Sequence, residues 1–101
     1  MQTTSRPKTG GPLFPLGCTL ATPGALETLL RTGFDGRKLL ARHVSGDWGN
    51  LDREDWAAND RAILEDTRIF SSYTLGDMGE RVWIITEADR SATTIMRPDE
   101  Y

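Results

Sequence analysis

The chain's 101 residues carry 38% hydrophobic and 27% charged side chains and a net charge of −3. That length makes one domain with a thin core, and the balance excludes disorder and membrane insertion, since no apolar run nears the ~20 residues that span a bilayer. Net acidity also argues against duplex DNA as a partner, because a duplex binder presents a basic face.

Residues 1–12 hold Pro7, Gly10, Gly11 and Pro12 with little to bury, and read as a flexible tail with no apolar core of a secretory signal. The domain is expected over 13–101. Thr22 and Pro23 start a first helix: the threonine caps, and proline suits a position whose N–H needs no partner. Leu26, Leu29 and Leu30 follow at helical spacing until Gly33 stops the segment. A second helix runs from Asp35 to Val44 with Leu39, Leu40 and His43 on one side. Ser45 to Asn50 is a loop, with two glycines flanking Trp48.

A third helix starts at Asp52, which caps it, while Glu54 and Asp55 complement its positive end. Leu51 and Trp56 stand at hydrophobic-staple spacing, and the helix frays near Asp66. After Thr67 the period becomes alternating. Residues 68–75, 80–87 and 92–96 read as strands, joined by Gly76 to Gly79 and by Ala88 to Ser91. The expected architecture is α+β: three N-terminal helices packed on a C-terminal three-stranded antiparallel β-meander, the third helix covering one sheet face. An uncovered edge of such a sheet invites a homodimer by strand addition.

Few residues point to chemistry. Cys18 is the only cysteine, so no internal disulfide forms, and the expected compartment is the cytoplasm. His43 is the only histidine; its place near a helix C-terminus favours the charged form, and general acid/base work is the sharper alternative to a structural role. Trp48 is read as folded onto the core, with display to a partner as the alternative. Asn59 falls on a buried face and needs a partner, expected in the loop from Ser45 to Gly49. Trp83 and Tyr73 are expected to pair across strands. In the hairpin around residues 86–94, Asp89 is read as bonding turn N–H groups and Arg90 as pairing with Glu87; the functional alternative sets Arg90 against a phosphate or carboxylate. One His and one Cys exclude a Cys/His zinc site. No phosphate loop, dinucleotide fingerprint or nucleophile elbow occurs, so no cofactor is expected.

The phrases GCTLATPGALETL, ARHVSGDWGNLDREDWAAND and VWIITEADRSATTIMRPDEY resemble a group of small bacterial proteins carried on plasmids and integrated elements, known as plasmid-related proteins. The resemblance spans Leu16 to Tyr101 and implies a mobile-element setting, but brings no catalytic residues with it. Some members bear the label type I restriction endonuclease subunit M. A methylation subunit needs a parallel nucleotide-cofactor sheet with a Gly-rich turn, and this chain has neither the length nor the motif.

Three functions compete at this point. The first is a non-enzymatic protein-interaction module. It is motivated by the acids Asp47, Asp52, Glu54, Asp55, Asp60, Glu65 and Asp66, set against Arg53 and Arg61, which suit a basic groove. Its candidate binding residues are Asp47, Trp48, Asp52, Asp55, Glu87, Asp89 and Arg90. The second is a metal-independent, toxin-like ribonuclease with His43 as acid, Arg90 as phosphate clamp and Thr94 as hydroxyl. The third is a small-ligand sensor with a pocket beside Trp48 and Trp83.

Overall fold

The structure, a computed structural model, describes residues 12–101. The tail expected over 1–12 lies, apart from Pro12, outside the described residues. The three helices form where their caps predict. Helix α1 is Pro23–Thr32, with the Thr22 hydroxyl accepting from the Ala25 N–H and Gly33 closing it at φ 77°. Helix α2, Gly36–Val44, is capped by the Asp35 carboxylate accepting from Arg37 N–H. Helix α3, Arg53–Glu65, is capped by Asp52 accepting from Asp55 N–H, and its last turn carries no basic side chain.

The sheet differs from the expected meander. A first strand, β1 (Cys18–Ala21), precedes the helices and joins β2 (Ile69–Leu75), β3 (Glu80–Thr86) and β4 (Ala92–Met96) in the order β1-β4-β3-β2. β1 runs parallel to β4, so the sheet is four-stranded and mixed, with all three helices lying between β1 and β2 in the chain. Four residues carry too little alternation to be read locally as a strand. β1 exists because its partner, distant in sequence, supplies the ladder.

Register sorts the side chains. Ile69, Ser71, Tyr73 and Leu75 share a face with Val82, Ile84 and Thr86 of β3 and with Thr93 and Ile95 of β4. All three helices pack on that face. One apolar cluster joins Ala25, Leu29 and Leu39 to Tyr73, Val82, Ile84 and Ile95. A second joins Phe14, Trp48, Ala62 and Ile69. The third helix therefore does not cover the face alone; it lies against β2 at one end. Tyr73 stands opposite Val82 while Trp83 stands opposite Ser72, so the two aromatics project from opposite faces, and the expected Trp83–Tyr73 pair does not form.

The outer edge of β2 is closed. The Asn59 amide donates to Phe70 C=O at 2.6 Å, and its oxygen accepts from Phe70 N–H at 3.1 Å, so Asn59 imitates a strand residue. That replaces the expected partner in the loop from Ser45 to Gly49. Farther along the edge, Trp48 C=O accepts from Ser72 N–H, Asn50 N–H donates to Ser72 C=O, and the Asn50 side chain accepts from Thr74 N–H. Gly49 lies against Ser72 at φ 76°, where a Cβ would fall on the Ser72 carbonyl; only glycine fits. The β2 edge is thus unavailable for dimerisation, while among the described residues nothing pairs with the outer edge of β1.

Candidate functional site

Most of the residues singled out from sequence turn out to hold the fold together. His43 is wholly buried between the two apolar clusters, with ring contacts to Phe14 at 5.4 Å and Trp48 at 5.7 Å. Its Nδ1 lies 2.5 Å from Ser71 Oγ and its Nε2 lies 2.9 Å from Thr86 Oγ1. Thr86 Oγ1 lies 2.7 Å from Thr93 Oγ1, and Thr93 donates to Leu16 C=O at 2.8 Å. Each hydroxyl has one proton, which fixes the direction of the chain. Thr93 spends its proton on Leu16, so Thr86 donates to Thr93 and His43 donates through Nε2 to Thr86. Nδ1 is then the acceptor for Ser71. Burial pushes the His43 pKa down to about 3, so the ring is neutral. The charged form expected from its helix-end position does not arise, because desolvation outweighs the helix dipole.

Arg90 closes the opposite end of α3. From a backbone at φ 62° its guanidinium donates to Ala62 C=O at 2.9 Å and to Thr67 C=O at 2.7 Å, giving the helix end the positive charge its own last turn lacks. Arg90 meets the Glu87 carbonyl at 3.2 Å, whereas the Glu87 carboxylate faces Arg68 at 3.9 Å; the expected Arg90–Glu87 ion pair gives way to carbonyl capping. Asp89 accepts from Ser91 N–H at 2.9 Å, as read from the turn, and the Ser91 bonds hold its pKa below the usual carboxylate value. Thr94 projects from the face opposite Thr93 and His43. His43, Arg90 and Thr94 thus occupy the helix side, the sheet end and the open side, and form no common site.

The candidates around the third helix divide in the same way. Trp48 is fully buried, donates to Asp60 Oδ1 at 3.3 Å and stacks on Phe14, so it serves the core. Asp47 pairs with Arg42 at 2.7 Å, and its carbonyl accepts from Tyr73 Oη–H at 2.6 Å. The Arg42 bond holds the Asp47 carboxyl below its ordinary pKa, while burial pushes the Tyr73 phenol up. Asp52 is spent on its cap; Asp55 is exposed in the first turn.

The remaining surface of note is the sheet face opposite α1, α2 and α3. On it stand Phe70 of β2, Trp83 of β3, and Thr94 and Met96 of β4, together with Ile85 of β3, which is itself buried. Phe70 and Trp83 meet edge-to-face at 4.9 Å, and Tyr101 leans on Trp83 at 5.7 Å. Arg68 donates to Tyr101 Oη at 2.6 Å and lies over its ring at 5.9 Å. Arg68, Phe70, Trp83, Ile85 and Tyr101 line an open pocket of about 320 Å³. Sequence reading named Trp83 for a pair with Tyr73 and for a ligand pocket beside Trp48, and missed Phe70, Arg68 and Tyr101; Trp48 packs with Ile69 on the helix side, so it and Trp83 share no pocket. Alternation along residues 68–75 and 80–87 could have grouped Phe70, Trp83 and Ile85, had their face been taken as the uncovered one.

Among the described residues no helix is long and apolar enough to cross a membrane, and no cluster of three or more His, Cys, Asp and Glu side chains could hold a metal ion. No family model, curated protein or solved structure matches the chain.

Proposed function

We propose that the protein is a non-enzymatic interaction module, in the mobile-element setting its sequence resemblance implies, and that it takes a partner protein on the open face of its sheet. The observation that carries this reading is the pocket of Arg68, Phe70, Trp83, Ile85 and Tyr101, left uncovered in a chain whose single histidine is buried and neutral. Trp, Tyr and Arg are the side chains that dominate binding energy at protein interfaces, and here they stand together. The acidic surface of α3 supplies charge for steering a partner toward this face.

The test compares partner capture by the tagged wild-type chain, by Trp83→Ala and by a chain neutralised at Glu54 and Asp55. Loss with Trp83→Ala and retention by the neutralised chain supports the open face. The reverse pattern moves the site to α3. The pocket's volume of about 320 Å³ favours small-ligand sensing as a second reading, since it reaches the lower end of known ligand cavities. A small aromatic compound that stabilises the wild-type chain but not Trp83→Ala would favour that second reading.

A further inference from the structure

We infer that two copies of this chain join through antiparallel pairing of their β1 strands, on a two-fold axis passing through Leu20, to make one continuous eight-stranded sheet. This does not depend on what occupies the open face. Both edges of the four-stranded sheet are candidates for strand addition, and β2 is closed by Asn59, Asn50 and Trp48. Among the described residues nothing pairs with the outer edge of β1. The Cys18 N–H donates to Ser91 C=O and the Thr22 N–H to Ile95 C=O, so the even-numbered residues face β4. The backbone groups of Thr19 and Ala21 therefore point outward, and no proline, lysine or bulge protects them.

The local geometry permits one symmetric register. Pairing Thr19 with the partner copy's Ala21, and the reverse, lets all four outward N–H groups of the two strands meet outward carbonyls, with Leu20 opposite Leu20. Centring the axis on Thr19 would bring in Gly17, whose φ of 67° takes it out of the extended region. Centring it on Ala21 would bring in Pro23, which has no N–H. The edge is therefore complementary to a copy of itself. Its surroundings are apolar on both faces: Leu20, 50% exposed, shares the open face with Thr94, while on the helix side Leu26, 57% exposed, borders a groove that Leu29, Leu40 and Ile95 line. Charge agrees. Asp35 and Arg37 at this groove neutralise each other, while the acidic α3 packs at the β2 end, so the like charges lie at opposite ends of the dimer. A two-fold perpendicular to the sheet also sets both aromatic pockets on one side, which makes the dimer bivalent toward a partner that has two binding segments.

The experiment measures the mass of the full chain in solution by sedimentation and by light scattering. Alongside it run Leu20→Lys, checked for fold by circular dichroism, and the double variant Cys18→Ser/Leu20→Cys under mild oxidation. In the stated register the two residues at position 20 have Cα atoms about 4.5 Å apart, within disulfide reach. The two copies of Cys18 are then about 14 Å apart and out of reach. The expected result is a wild-type dimer, a folded Leu20→Lys monomer, and a covalent dimer from the double variant but not from wild type. A monomeric wild type, a dimer that survives in folded Leu20→Lys, or cross-linking through Cys18 in place of position 20 would overturn the inference.

Discussion

Burial of His43 makes stability depend on pH between about 5 and 7.5, above the ordinary carboxylate range. Folded, the ring holds its second proton only below about pH 3; unfolded, it returns to its ordinary 6.5. Between those values the unfolded chain binds the additional proton, so stability is full above the unfolded pKa and falls as pH drops toward the folded one. The loss at about pH 5 is RT ln(1 + 10^1.5), or about 2 kcal/mol, and it does not depend on the exact folded pKa so long as that lies well below 5. A domain of this size has only about 5–15 kcal/mol in total, so the urea midpoint should fall by about 1–2 M between about pH 7.5 and 5. Asp35, Asp47, Asp89 and Glu100, held below their ordinary pKa values in the fold, add stability that is lost mainly below about pH 5, outside this comparison. The assay is urea unfolding followed by tryptophan fluorescence, with His43→Gln as the variant that keeps a donor and an acceptor but cannot titrate. Wild-type stability that stays flat over this range, or a His43 resonance titrating near 6.5 in the folded protein, would refute the reasoning.

Removing the Arg90 clamp by Arg90→Ala takes the guanidinium donor from the Thr67 carbonyl and from the Ala62 carbonyl, which keeps its backbone donors from Asp66 and Thr67, and should cost about 1–2 kcal/mol in denaturant unfolding, with amide exchange rising first at the end of α3. Gly49→Ala, which drives a Cβ into the Ser72 carbonyl, should prevent folding. Gly79→Ala, at φ 75° with nothing within 4 Å of the added carbon, should cost only about 1 kcal/mol, and circular dichroism melts of the pair measure the contrast. Asn59→Leu should lose about 2 kcal/mol and aggregate on standing, because it unpairs Phe70 on the β2 edge; light scattering reads the second effect. Trp83→Ala should reduce partner capture far more than it reduces stability, since Trp83 packs on the uncovered face.

Local chemistry made the helices legible. Thr22, Asp35 and Asp52 announce their caps, and Gly33 announces its stop, because a cap is satisfied within a few residues and the sequence carries the whole interaction. The β2–β3 and β3–β4 hairpins were equally local, and Asp89 declared its turn. Residue roles were harder to read. His43, Trp48, Asp47 and Arg90 are polar or amphipathic side chains of the sort that mark sites, and here each is consumed by a long-range partner: Ser71 and Thr86, Phe14, Tyr73, and the α3 carbonyls.

Sequence by itself determined an α+β chain of three capped helices and a C-terminal hairpin pair, because propensity, capping and period act over distances shorter than one element. Tertiary structure alone decided that residues 18–21 are a strand, that the sheet is mixed, and which face stays uncovered. Those outcomes rest on contacts between residues far apart in the chain: β1 with β4, Asn59 with Phe70, and His43 across the sheet. A strand of four residues carries no pattern of its own, and an alternating strand names two faces without saying which one a helix will cover.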